Sequence, residues 1–331
     1  MVKVVKKKEP VKDIYGLRDP AVKFFSSGCT LLDCVLGGGW ALSRVINIVG
    51  SYSSGKSLLA IEACANFRKS NPKGKIVYIE TEAAFDHVYA ESLGLPSQGI
   101  DFPPIFTVED AFEDLEGRLK STQRTLVVID SLDALSDRAE QERAIDKESY
   151  GAEKSKMISQ WFRRQNQRLS RSSVTVIIVS QLRDAIGVKY GEKQKRSGGK
   201  ALDYYATQVL WLSQVKTHRR TIKGVERATG VQIRARCKKN KVGPPFRQCE
   251  FPLLFNYGVE DVQAGLDWLV EVKRTDAVGM TQEAAKKLAK KLDRLTPKQY
   301  QEERQNIGDA VKEVWNELEQ AFTPNRKKYN S

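Results

Sequence analysis

Histidine is nearly missing from this chain: His87 and His218 are the only two in 331 residues. Its five cysteines, at positions 29, 34, 64, 237 and 249, form no CxxC pair. A zinc enzyme needs several such ligands at short spacings, so that class is disfavoured. The odd cysteine count points to reduced, mostly structural thiols. No apolar run approaches the ~18 residues of a membrane span, and 29% of the residues are charged. The opening stretch, MVKVVKKKEPVKD, is basic but lacks the apolar core of a secretory leader. A cytoplasmic protein is therefore expected. Internal repeats and low-complexity tracts are lacking as well.

Positive charge is what the chain has in excess. Lys plus Arg number 55 against 41 Asp plus Glu, for a net +14. Such an excess implies an anionic partner, nucleic acid first, although a membrane surface or plain solubility draws on the same residues. The length suits about two domains, or one large α/β domain with appendages. Residues 1–24 form a basic arm, with seven basic and three acidic residues in the first 23 positions.

From there to residue 264 short apolar runs alternate with helical stretches. VINIVG (45–50), KIVYIE (75–80), TLVVID (125–130), VTVIIVSQ (174–181) and TQVLWLSQV (207–215) are near-continuous β-branched and aliphatic segments. Burial on both faces is the mark of central strands covered by helices. Residues 57–70, 108–121 and 151–170 have helical periodicity between them. The alternation predicts an α/β fold with a largely parallel, helix-flanked central sheet. Residues 216–249 read as basic short strands of an antiparallel extension. Residues 265–331 read as a small, mostly helical C-terminal region, with an N-cap at Thr281 and a further helix opened by Pro297.

Gly50-Ser51-Tyr52-Ser53-Ser54-Gly55-Lys56-Ser57 fits GxxxxGK[ST], follows the strand VINIV and opens a helix. Without those flanks the match would be an ordinary Ser/Gly turn. With them, backbone N–H groups curl around phosphates, Lys56 reaches the outer phosphates and Ser57 offers a hydroxyl to Mg²⁺. Asp130 ends a second strand, where an acid either orients Mg²⁺ or caps the following turn. Glu80 and Glu82 stand at the end of a third. Being two apart on a strand, they point to one side, so spacing does not choose which polarises the attacking water. Gln181 ends the fourth, placed to sense a γ-phosphate or simply to face solvent.

Together these residues resemble the RecA-type homologous recombinases. The resemblance runs from Phe25 to Val262 and rests on ordered motifs: SSGCTLLDCVLGGG, GSYSSGKS, IETEAAFDHVYAESLGL, LVVIDSLDAL, VSQLRDAIGVKYGEKQKRSGGKALDYYA and KKNKVGPPFRQCEF. It implies a RecA-like ATPase core that binds ATP and Mg²⁺. Within it, Glu82 matches the catalytic glutamate, with Lys56 and Gln181 completing the catalytic set. Asp86 and Tyr89 match residues that contact and stack on adenine. Asp130 and Ser131 match the second-strand Mg²⁺ motif. Lys239 and Lys241 match paired lysines that reach the ATP of a neighbouring subunit, though alone they read as a solvated basic strand.

The resemblance also implies a function. A DNA-dependent ATPase would form helical filaments on single-stranded DNA, pair it with homologous duplex DNA and exchange strands. Single-strand-binding and mediator proteins would be further partners, and no membrane is involved. Segment 182–200 carries six basic residues, two acidic ones and four glycines, suited to tracking phosphates. Arg183, Lys189, Lys193, Lys195, Arg196, Gly198, Gly199 and Lys200 belong to it, and Ile186 matches the side chain that wedges between base triplets. A second segment, 137–151, resembles the first DNA loop and offers Arg143, Lys147 and Tyr150. Arg163 and Arg164, one helix later, read as a solvated face. Lys-rich, shortened ends resemble phage-type members, which would place the protein in a host cytoplasm. Residues 271–331 hold 13 basic and 10 acidic residues, unlike the acidic tail of bacterial relatives. A ring-forming helicase or translocase is one alternative. It would carry an N-terminal oligomerisation domain, and about twenty residues precede this core. A non-catalytic paralogue acting as a filament partner is the other, against which intact Lys56, Glu82, Asp130 and Gln181 stand.

Overall fold

The computed structural model describes residues 22–83, 85–142, 151–184, 194–196 and 201–326. Two short strands, β1 (Phe24–Phe25) and, after helix α1 (Thr30–Leu36), β2 (Trp40–Ala41), pair antiparallel. Strands and helices then alternate: β3 (Val45–Gly50), α2 (Lys56–Ser70), β4 (Lys75–Glu80), α3 (His87–Ser92), β5 (Ile100–Asp101), α4 (Val108–Arg118), β6 (Thr125–Asp130), α5 (Arg138–Glu142), α6 (Gly151–Arg171) and β7 (Val174–Asp184). There follow β8 (Gln194–Arg196), α7 (Ala201–Tyr205), β9 (Gln208–Ile222), β10 (Val225–Asn240), β11 (Gln248–Leu254) and β12 (Gly258–Val259). Helices α8 (Asp261–Glu271), α9 (Gln282–Ala289) and α10 (Pro297–Ala321) come last.

One sheet organises the molecule, in the order β12-β11-β10-β9-β3-β7-β6-β4-β5, with β8 beside β7. From β9 to β5 the strands are parallel; from β9 to β12 they are antiparallel. The expected α/β class with a largely parallel sheet is therefore present. Strand alternation splits the core in two. Ile46, Ile48, Tyr78, Val128 and Ile177 face α1, α2 and the C-terminal helices. Val45, Val49, Ile79, Ile129 and Ile178 face α4, α6 and α7, where Phe112 stacks on Trp161 with centroids 4.5 Å apart. Both faces are apolar because both are covered.

Two expectations need correction. The strands of 216–249 are long rather than short, at 15 residues in β9 and 16 in β10. The end of β9 and the start of β10 leave the core and are exposed on both sides, so apolar alternation gave no sign of them. β7 likewise continues past Gln181 to Asp184, held there by pairing with β8.

The C-terminal helices share the first core: Ile307, Val311 and Val314 of α10 pack with Leu266 and Leu269 of α8. Gly265 makes that approach possible, since a Cβ there would lie 2.6 Å from Ile307 Cγ2. Arg304 pairs with Asp261 at 3.0 Å, and Asp261 also accepts from the Thr30 N–H at 2.6 Å. Thr281 caps α9, and Thr296 forms a capping box with Gln299 around Pro297, as helix-start chemistry requires.

Candidate nucleotide and nucleic-acid site

Open α/β sheets bind ligands outside the carboxyl ends of their strands. Here β3 ends at Gly50, β4 at Glu80 and β6 at Asp130, while β7 passes Gln181. Residues 51–55 turn from β3 into α2. Gly55 takes φ 80°, a left-handed conformation open to glycine at little cost, and α2 starts directly after it. Lys56 is largely buried, its Nζ donating to the Ser51 carbonyl at 2.8 Å. Burial lowers the Lys56 pKa, and the charges of Asp130, Glu82 and Asp133 oppose that shift. Ser54 is buried with its hydroxyl on the Ser51 carbonyl, 2.9 Å away, whereas Tyr52 and Ser53 are exposed.

Asp130 is 9% exposed and accepts from the Tyr78 hydroxyl at 2.7 Å. Burial raises its pKa; hydrogen bonds from Tyr78 and Ser57 pull it down, Glu82 pushes it up and Lys56 draws it down. A hydroxyl and a carboxylate thus meet at the first turn of α2. That donor set fits Mg²⁺, which binds through one or two protein oxygens and completes its shell with phosphate and water.

Glu82 and Glu80 part company here. β4 stops at Glu80, so strand alternation no longer governs Glu82, and the expectation that both face one side fails for that reason. Glu82 Oε1 accepts from Ser131 Oγ at 3.1 Å and from Gln181 Nε2 at 2.8 Å. Glu80 lines a cavity with Tyr78, Phe85, His87 and Phe102, and its Oε1 accepts from the Glu82 N–H at 3.1 Å. Thr81 ties the two strand ends together, its Oγ1 accepting from the Ser131 N–H at 2.8 Å.

Sequence reasoning missed Asp133. Its Oδ2 accepts from the Gln181 N–H at 2.6 Å, and its carbonyl accepts from Lys154 Nζ at 3.0 Å. Its only sequence signal is a position three residues after Asp130, which any surface turn would share.

Of the two residues matched to adenine contacts, Asp86 is exposed and Tyr89 is packed inward. Asp86 caps α3, accepting from the Tyr89 N–H at 2.8 Å. Tyr89 is 1% exposed, with its hydroxyl donating to Glu62 at 3.3 Å. The adenine stack implied for Tyr89 has no open ring face in this conformation, because the ring is packed between α2 and α3.

Lys239 and Lys241 project from the end of β10 onto α7. Lys239 Nζ donates to the carbonyls of Asp203 and Tyr204, the latter at 2.8 Å, and Lys241 Nζ to Tyr204 at 3.2 Å. They hold carbonyls of the helix that follows the basic segment. Arg183 lies in β7 opposite Lys195 of β8, and Arg196 lies opposite Leu182. Ile186, Lys189, Lys193, Gly198, Gly199, Lys200, Arg143, Lys147 and Tyr150 lie outside the described residues. Arg163 and Arg164 are exposed on α6.

A nucleotide loop joined to a glutamate–glutamine pair narrows the choice of family, and comparison with known proteins decides it. The family model described as RecA N-terminal domain matches residues 4–260. The chain belongs to the RecA family. Protein RecA of Prochlorococcus marinus (strain NATL1A) is 36% identical over 246 residues, covering 74% of this chain and 63% of that protein. Protein RecA of Thermosynechococcus vestitus is 36% identical over 251 residues, covering 76% and 69%. Protein RecA of Synechococcus sp. (strain CC9605) is 37% identical over 246 residues, covering 74% and 64%. The chain thus spans 63% to 69% of the length of these relatives. All of the strand-end residues above lie inside the RecA match; α9 and α10 lie outside it.

Proposed function

We propose that this RecA-family chain is a DNA-dependent ATPase that polymerises on single-stranded DNA and carries out homologous pairing and strand exchange. The observation that carries the reading is the 2.8 Å hydrogen bond from Gln181 to Glu82. It joins the group suited to polarise water to the strand that leads into the basic segment.

In this reading, Lys56 exchanges the Ser51 carbonyl for the outer phosphates of ATP, and Ser57 and Asp130 hold Mg²⁺. Glu82 polarises the attacking water. Gln181 turns its amide from Glu82 to the γ-phosphate, and β7 carries that shift toward residues 182–200. Lys239 and Lys241 leave α7 to reach the nucleotide of a neighbouring subunit, so ATP lies at the interface and favours the extended filament. Loss of the γ-phosphate removes these contacts and weakens DNA binding. Base pairing reads the sequence. The protein works in the cytoplasm, with single-strand-binding and mediator proteins as further partners. Electron microscopy with single-stranded DNA and a non-hydrolysable ATP analogue tests this. Helical filaments are expected, and closed rings would overturn it.

A further inference from the structure

Strand β7 outlasts its neighbour. The ladder between β6 and β7 ends with Ile129 opposite Ile178, and β6 itself stops at Asp130. Beyond that point a backbone donor on this edge of β7 has lost β6 as its partner and needs another acceptor. The turn after β6 supplies the contacts singly. The Leu132 N–H donates to the Val179 carbonyl at 3.3 Å, and the Gln181 N–H donates to Asp133 Oδ2 at 2.6 Å. Gln181 is thus held at two points, its backbone by Asp133 and its side-chain amide by Glu82 Oε1 at 2.8 Å.

Asp133 is fixed from the other side. Lys154 lies in the first turn of α6, and its Nζ donates to the carbonyl of Asp133 at 3.0 Å and to that of Leu135. The Ala134 N–H closes the turn on the Ser131 carbonyl at 3.2 Å. Three links therefore run in series: α6 to the turn through Lys154, the turn to β7 through the Asp133 carboxylate, and β7 to Glu82 through the Gln181 amide. A carboxylate accepting from an N–H makes a bond about twice as strong as a neutral one, so the middle link is firm. An aspartate that merely ended a turn would face solvent. Asp133 is half-buried, and its charge also favours the protonated form of Lys56. Acceptor and charge are separable by substitution.

We infer that Asp133 is a positioning residue for Gln181: its carboxylate sets the backbone from which the Gln181 amide reaches Glu82, and Lys154 ties that setting to α6. The inference rests on the recombinase reading, in which residues 137–151, just ahead of Lys154, contact DNA. It gives that segment a physical route to the water-polarising glutamate, separate from the one through residues 182–200. Coupling of this kind needs a contiguous chain of contacts, and these three bonds form one.

The test uses the full chain and three variants. Asp133→Asn keeps an oxygen for the Gln181 N–H but loses the charge, Asp133→Ala loses both, and Lys154→Met keeps the stem but loses both carbonyl contacts. Two quantities are measured: amide hydrogen exchange at Gln181 by mass spectrometry, without nucleotide or DNA, and kcat for ATP hydrolysis with saturating single-stranded DNA. Asp133→Ala should speed exchange at Gln181 about tenfold, the worth of one bond to a charged acceptor, and lower kcat several-fold, with the amides of β6 exchanging at parent rates. Asp133→Asn should restore most of both. Lys154→Met should shift both in the direction of Asp133→Ala, by less. Parent-like exchange at Gln181 in Asp133→Ala overturns the inference. So does a kcat in Asp133→Asn as low as that of Asp133→Ala, which would make charge near Lys56 the role. Parent values in Lys154→Met would cut the link to α6 and overturn it too. A parent that hydrolyses no ATP with single-stranded DNA sinks the recombinase reading instead, and the exchange rates still decide whether Asp133 sets Gln181.

Discussion

The parallel and antiparallel parts of the sheet carry opposite chemistry. At the carboxyl ends of the parallel strands Glu82, Asp130 and Asp133 gather around one lysine, Lys56. The antiparallel flank offers cations: Lys239 and Lys241 at the end of β10, and Arg220 of β9 opposite Arg227 of β10. The acids are held by neighbouring strands, Asp130 by the Tyr78 hydroxyl and Glu82 by Ser131 and Gln181. The cations are held elsewhere, Lys239 and Lys241 on carbonyls of α7 and Arg220 on Asp293. A nucleotide needs both, and geometry within one chain brings Lys239 and Lys241 to α7 rather than to Lys56. In the proposed reading, the contrast would be a half-site on each side, completed when one chain meets the next.

The largest expected effect breaks the acidic side. Glu82→Gln keeps the Ser131 and Gln181 neighbours but removes the water-polarising charge, so steady-state turnover with saturating single-stranded DNA should fall roughly 10²-fold or more. Nucleotide and DNA binding should persist. Near-parent turnover would move the role to Glu80, in its separate aromatic cavity.

The cationic side comes next. Replacing Lys239 and Lys241 together with Ala should cost on the order of tenfold or more in DNA-stimulated hydrolysis, if each supplies a charge-assisted contact to phosphate. ATP binding to the isolated chain should be little changed. A matching loss of binding by the monomer would place both lysines in the chain's own pocket and erase the division between half-sites.

Legibility in the sequence follows the same line. Val45–Gly50, Lys75–Glu80 and Thr125–Asp130 read directly as strands because two covered faces demand unbroken apolar runs. The nucleotide loop was readable for a related reason, since its glycines and lysine sit between a strand and a helix. Asp133 was not, because a carboxylate that accepts from a backbone N–H 48 positions away has no local pattern. Neither was the inward turn of Tyr89, whose burial depends on α2. The length of β9 and β10 was hidden because a strand pair in solvent imposes no alternation.

A smaller effect tests how tightly the C-terminal helices join the antiparallel flank and its helices. Gly265→Val puts a Cβ 2.6 Å from Ile307 Cγ2 and 3.2 Å from Val311 Cγ2. Overpacking of this kind costs about 1–3 kcal/mol. Because those residues belong to the core that also holds Ile46 and Ile48, the whole urea transition should move to lower denaturant. An unshifted main transition, with a separate early phase, would show that α8–α10 unfold alone.

The smallest effect contrasts two buried acids. Asp130 has a cation, Lys56, beside it. Asp33, on α1 beneath the antiparallel flank, has neutral donors among the described residues: Ser26 Oγ and the Ser27 N–H, each at 2.7 Å. Burial outweighs those bonds and pushes the Asp33 pKa up from 3.8 to about 6. The sign follows from linkage. Between those two values the unfolded chain releases the proton while the folded chain keeps it, so stability falls as pH rises and levels off above about 6. Asp33→Asn carries no such proton. The parent's stability relative to the variant should therefore drop across this window, by about 1–2 kcal/mol given the partial exposure of the residue. Urea midpoints for both proteins at a series of pH values read it. A difference that stays flat, or grows with pH, would mean that the hydrogen bonds outweigh burial and that Asp33 is held as a carboxylate without any cation.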